Sequence, residues 1–392
     1  MISASSLRSQ ALPWMLLSFA AAIQAQSEGC SNVTISSAAD ADAIRKSCKI
    51  ITGGLILDES VAETINLDGI EVIEGDVRHT AKSPDACEKA PDKFPCSERF
   101  SISSSTLRQV NGTLKFSSFV GLEELILPNL VRAGTVTLWG LDHLKTLDLT
   151  NLQSIEYFDL EAKNLEKFSL DGLKEFTGPA NGGVQVVVGP TIENLDGLFK
   201  NNLDPWQGEE DRGDYDDWMD TLSGTGVTLS THNAPNLQSL TFGWRRVPRL
   251  EVSTSSEVTV VLGGPNSTEM EITTLVLKNG TRKVERGKNV TTIKVGSLEV
   301  TKTVKMTQLD VPFDQLEALD IYFASELTSV VLPPQAENWK KFALDIFSCH
   351  KLNLTSEYAM VDGERKKTWY WPRSDLLQLD IFAVGGMANE FL

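Results

Sequence analysis

Residues 122–173 carry one pattern three times: Leu122-x-x-Leu125-x-Leu127-x-x-Leu130, Leu144-x-x-Leu147-x-Leu149-x-x-Leu152 and Leu165-x-x-Phe168-x-Leu170-x-x-Leu173. The copies start 22 and 21 residues apart. Val136-x-Leu138 and Phe158-x-Leu160 fall between them, so an apolar-x-apolar triplet recurs every 10 or 11 residues. A fixed period of this kind marks a solenoid, in which one coil cannot bury its apolar residues alone and does so by stacking on its neighbours. Within a triplet the side chains alternate, so Leu125 and Leu127 face the core and Ile126 faces out. The spacing predicts two short parallel strands per coil, joined by turns too tight for a helix. A leucine-rich horseshoe has a similar period but wants Asn or Cys at a fixed core position after the triplet. Asn129 and Asn151 come one place early for that slot, which favours a β-helix.

The chain before the repeat reads as an exported protein. Arg8 supplies a positive n-region, Ala11 to Ile23 an apolar run, and Ile23-Gln24-Ala25 a small residue at a cleavage site, so residues 1–25 form a signal peptide. The run is short and interrupted by Pro13 and Ser18, unlike a transmembrane helix. The remaining length suffices for two domains. A net charge of −17 argues against nucleic acid and anionic membrane surfaces as partners. Six N-glycosylation sequons, at Asn32, Asn111, Asn266, Asn279, Asn289 and Asn353, suit a secreted glycoprotein.

Five cysteines in an oxidising compartment should mostly pair. Cys30 with Cys48 and Cys87 with Cys96 are the economical pairs by sequence distance. Cys349 is left over, as a buried thiol between Ser348 and His350 or as an intermolecular bridge; the buried thiol is the simpler reading. Zinc is disfavoured, with no Cys-x-x-Cys and four scattered histidines. No cofactor is implied.

Ser37 followed by Asp40 resembles a capping box, and Ala38 to Lys46 predicts a helix that covers the open end of the solenoid. Residues 78–100 break the period and read as a stapled loop. Up to residue 200 the chain is a first β-helix lobe, from 26. Residues 201–224 are an acidic linker without the ligand order of a calcium loop. A second lobe spans 225–392, with triplets at Leu240-x-Phe242, Leu250-x-Val252, Leu319-x-Ile321, Phe342-x-Leu344, Leu352-x-Leu354 and Leu379-x-Ile381. Residues 263–306 read as an insertion, with Asn279-Gly280 as a hairpin turn. The fold expected is an all-β solenoid of two right-handed parallel β-helix lobes with an N-terminal helical cap.

Two such lobes behind a cysteine-bracketed helix resemble the receptor L domain of growth-factor-receptor ectodomains. Asp40-Ala41-Asp42, Ser47-Cys48, Ile51-Thr52-Gly53, the run Ile65 to Asp76, Leu352-Asn353-Leu354-Thr355-Ser356-Glu357-Tyr358 and Thr368-Trp369-Tyr370-Trp371-Pro372 are similar to the fungal GPI-anchored cell-wall organisation proteins of the extracellular-mutant and sporulation-specific type. That resemblance implies a non-enzymatic glycoprotein of the cell wall or outer membrane face, with wall glycans or wall proteins as partners. Residues 386–392 lack the apolar tail of a GPI signal, so membrane attachment is expected only from a longer form.

Two alternatives belong to other classes. Some β-helices cleave polysaccharides, a link by fold analogy alone. Cleavage usually needs two carboxylates about 5–10 Å apart. The triplets put Ile126, Asp148 and Ser169 on one face and Thr137 with Asp159 on another; in the second lobe they put Asp320 over Ala343 and Val331 over Asn353. On that register no two carboxylates stack, and no catalytic residue is expected. A carbohydrate-binding module is the other alternative, with Trp369 and Trp371 on one side of a strand as a glycan platform, unless they close the last coils as core.

Overall fold

The computed structural model describes residues 30–80, 98–177, 183–200, 204, 226–353, 358–361, 364–367, 370, 372 and 376–382. The expected signal peptide at 1–25, Cys87, Cys96, Trp369, Trp371 and nearly all of residues 201–224 lie outside the described residues.

The apolar triplets form strands that stack in parallel into a β-solenoid. A 15-stranded sheet runs through the described chain, and in the first half two further parallel sheets, of six and five strands, close each coil. One coil shows the path. Thr135–Trp139 lies in the main sheet, Thr146–Asp148 in the five-stranded sheet and Ser154–Ile155 in the six-stranded one, before Tyr157–Ala162 returns to the main sheet. Each such coil therefore has three strands where the spacing predicts two. The third is two residues long, too short to show an alternation in sequence.

Register follows the leucines. Leu125 stands opposite Leu147, and Leu147 opposite Phe168. Leu125, Leu127, Leu147 and Leu149 are buried, whereas Ile126 is half-buried on the outside. Each buried leucine stabilises the fold by roughly 1.5–3 kcal/mol relative to an exposed one. The early asparagines are turn residues. The Asn129 and Asn151 Nδ2 groups donate to the Ser105 and Pro128 carbonyls of the preceding coil, each at 2.7 Å. They satisfy turn carbonyls that stacking would otherwise leave unpaired.

Where chain enters the main sheet, glycine permits the coils to approach. Gly53, Gly75, Gly112 and Gly134 stack, with Gly75 N–H donating to Gly53 O at 3.0 Å and Gly134 N–H to Gly112 O at 3.1 Å. A Cβ on Gly75 would lie 2.8 Å from the Gly53 carbonyl.

The cap forms as the sequence predicts. The helix Ala38–Ser47 begins at Ser37, whose Oγ accepts from Asp40 N–H at 3.2 Å, while the Asp40 carboxylate accepts from Ser36 N–H at 3.0 Å. It packs against Val33–Ile35, the first strand of the main sheet, and against Ile65–Asn66. The Cys30–Cys48 disulfide closes the segment that contains it.

The main sheet continues into the second half through Gly183–Val188, paired residue for residue with Gly226–Thr231. Residues 263–306 correct the expectation of an insertion. Glu269–Arg286 and Thr292–Thr301 are full members of the main sheet, pairing with each other and with Arg246–Leu262 and Gln315–Tyr322. Their length and charged outward positions hide the 11-residue step. Asn279-Gly280 makes no hairpin: Asn279, at φ 55°, bends one long strand around a corner of the coil. Among the described residues only Tyr358–Val361 and Glu364–Lys367 pair antiparallel. Cys349 is a buried free thiol, its Sγ 3.7 Å from the Ile321 carbonyl, and burial raises its pKa. So enclosed, it cannot reach a partner chain while the coil stays shut.

Candidate functional site

The outer face of the main sheet gathers charge at the last coils. Following one outward position from strand to strand gives Glu299, Asp320, Asp345 and Asp380, each opposite the next. Neighbouring strands are about 4.8 Å apart, so the carboxylates form a row at that step. The apolar pattern puts Asp320 over Ala343 and stacks no two acids; the structure corrects this, since Ala318 is the residue opposite Ala343. The reason is geometric. Phe342, Leu344 and Ile346 are all buried, and sliding a strand by two residues leaves every inward position inward. Alternation alone therefore accepts either register. Val331 likewise stands opposite Asp310, and Asn353 N–H donates to Thr328 O at 3.1 Å, three residues before Val331.

The same face compares an acid that has cations with acids that have none. Burial pushes the Glu251 carboxyl up, but hydrogen bonds from Lys278 at 2.7 Å and Arg249 at 2.9 Å outweigh it and hold its pKa below the ordinary value. Asp320 has no such partner among the described residues. Burial first, then the charges of Asp345 and Glu299, raise it to about 6, against a weak opposing hydrogen bond from Ser297 Oγ at 3.4 Å. The strand Tyr157–Ala162 of the first half repeats the theme more weakly. Asp159 has a buried Oδ1 without a partner among the described residues, and burial followed by the charge of Glu161 raises its pKa.

Aromatic rings flank the acidic row. The next outward position carries Thr301, Tyr322, Phe347 and Phe382 on the same strands. Tyr322 Oη donates to Asp345 Oδ2 at 2.8 Å, and burial followed by that bond raises the phenol's pKa. Phe347 and Phe382 are exposed, with ring centroids 6.4 Å apart. Phe323 packs edge-on against Phe347 at 5.4 Å and takes a left-handed backbone, φ 56°. A bulky residue is rare in that conformation. Among the described residues no three His, Cys, Asp or Glu side chains converge to hold a metal, and no helix is long and apolar enough to cross a membrane.

The residues singled out from sequence are dispersed. The asparagines at 32, 111, 266, 279, 289 and 353 are all exposed, five outside the strands and Asn279 at the bend of the strand Glu269–Arg286. Cys30 and Cys48 are bonded at the cap. Trp369 and Trp371 lie outside the described residues; Tyr370, between them in sequence, is half-buried, with Lys367 Nζ 4.8 Å above its ring. The acidic and aromatic rows are what the triplet analysis misses, although a signal exists. Leu319-Asp320-Ile321-Tyr322, Leu344-Asp345-Ile346-Phe347 and Leu379-Asp380-Ile381-Phe382 are three copies of one tetrad.

Comparison with protein-family models, curated proteins and solved structures finds no match for this chain.

Proposed function

We propose that the protein is a secreted glycoprotein of the fungal cell wall that supports wall organisation without cleaving glycans. The observation that carries this reading is the exposure of all six sequon asparagines on a disulfide-closed β-solenoid. None of the acceptor side chains is spent on the core. A disulfide between Cys30 and Cys48 suits an oxidising compartment. The wall itself comes from the resemblance carried by residues 40–76 and 352–372, with wall glycans or wall proteins as partners.

The stacked carboxylates favour a second reading, glycan cleavage. Asp320 and Asp345 stand on neighbouring strands at a step near the roughly 5 Å of retaining glycosidases, and Asp320 is raised to about 6. Against it, Tyr322 occupies one oxygen of Asp345, and both acids belong to a row of four along one sheet face. Glycosidic chemistry gains from a site that excludes water. Recombinant glycosylated protein should release no reducing sugar from β-glucan, chitin or mannan. Turnover that disappears in Asp320→Asn or Asp345→Asn would establish the second reading in place of the first.

A further inference from the structure

The acids of the last coils have no lysine or arginine partner among the described residues, and their chemistry, with the rings beside them, is complementary to one class of ligand. We propose that Glu299, Asp320, Asp345 and Asp380, with Tyr322, Phe347 and Phe382 beside them, form a docking track for a glycan whose sugars carry free amino groups. The inference rests on the extracellular reading above and gives it a ligand class.

Three observations carry it. The first is charge. No ion pair joins any of the four acids to a lysine or arginine among the described residues, whereas Glu251 on the same face is held by two cations. Like charges on neighbouring strands repel, and a bound polycation relieves that cost. A neutral glycan would leave it in place.

The second is the exposed rings. Phe323, Phe347 and Phe382 are 47%, 41% and 59% exposed. Aromatic faces attract ammonium groups and also accept the C–H faces of sugars. Phe323 sits at a left-handed corner that the other coils fill with Ser118, Gly140, Lys302 and Ser348, so it is the one bulky ring among them. Strain in a bulky residue at such a corner is tolerated when the side chain has a use.

The third is the step. Both rows advance by about 4.8 Å per strand, whereas an extended peptide presents side chains to one face only every ~6.6 Å or so. A lysine-rich segment laid along the axis falls out of step within two coils. A β-1,4-linked hexosamine chain turns over at each sugar, so its same-side amino groups recur every second sugar, close to two strand spacings, and stay in step with alternate acids of the row.

Titration calorimetry of the intact glycosylated protein tests this with three probes: a short glucosamine oligomer with free amines, its N-acetylated counterpart of equal length, and oligolysine. The free-amine oligomer should bind, less tightly as salt rises, and each of the other two should bind at least about tenfold more weakly. Asp320→Asn with Asp345→Asn should weaken it about tenfold. Because the whole chain is acidic, the control is Glu156→Gln with Glu193→Gln, two exposed acids elsewhere, which should change affinity less than about twofold. Phe347→Ala keeps every charge and should also weaken binding. Equal losses in the control pair, oligolysine binding as tightly, or no binding at all would overturn the proposal. Absent binding together with a disturbed wall in a deletion strain removes the track and leaves the wall role; binding with an undisturbed wall does the reverse.

Discussion

Asp320 and Asp345 stand directly opposite each other on adjacent parallel strands, and neither forms an ion pair with a lysine or arginine among the described residues. Burial, and then the charge of Asp345, disfavour ionisation of Asp320, whose pKa reaches about 6. Between the ordinary value of 3.8 and about 6 the folded chain holds a proton that the unfolded chain releases. Stability from this group is therefore full at low pH and is lost as pH rises through about 6. Asp320→Asn should be more stable than the parent at neutral pH by about 1 kcal/mol, a figure kept small because the carboxyl still meets solvent. The gain should vanish near pH 4, which urea melts at both pH values can check. A variant less stable than the parent at neutral pH contradicts the assignment.

The register can be trapped covalently. With Asp320→Cys and Asp345→Cys the two thiols occupy opposite positions, so mild oxidation should join them. Asp320→Cys with Ala343→Cys should stay reduced, because Ala318 is the residue across from Ala343. The reverse outcome, read by mass spectrometry of non-reduced peptides, would restore the register that the leucine pattern prefers.

The glycine stack predicts a large effect from a small change. Gly75→Ala places a methyl 2.8 Å from backbone atoms of Gly53, which cannot swing away as a side chain could. Thermal or urea unfolding should show a loss of roughly 2 kcal/mol or more. An unchanged midpoint means the coils stand further apart than described.

At the N-terminal end, the disulfide and the helix are expected to act together. Cys48→Ser should cost roughly 3 kcal/mol, as for loops of this length. The loss should appear first as faster hydrogen exchange in the cap helix Ala38–Ser47, and in the strand Val33–Ile35 beneath it. Exchange faster only in the distant coils contradicts the cap's role.

How much of this could be read from the chain differs between its halves. From Leu122 to Leu173 the leucines recur at a steady step, and the pairings Ile126–Asp148–Ser169 and Thr137–Asp159 follow from spacing alone. The N-terminal cap was legible too, because Ser37 and Asp40 carry local hydrogen-bond chemistry. The third strand of each coil was not, since a two-residue piece such as Ser154–Ile155 has no periodicity to detect. Residues 263–306 hid because strands of 17 and 18 residues bend round a coil corner at Thr254 and Asn279 and break the count. The acidic row hid behind a two-residue ambiguity at Phe342, Leu344 and Ile346. Aligning Leu319-Asp320-Ile321-Tyr322 with Leu344-Asp345-Ile346-Phe347 resolves it, because the match includes the outward residues and not only the buried ones.

The wall role is tested most directly by deleting the coding sequence in the source organism and measuring growth on wall-binding dyes, with the intact chain returned as the control. The account predicts hypersensitivity that the parent sequence rescues. A deletion strain as dye-resistant as its parent contradicts the wall role.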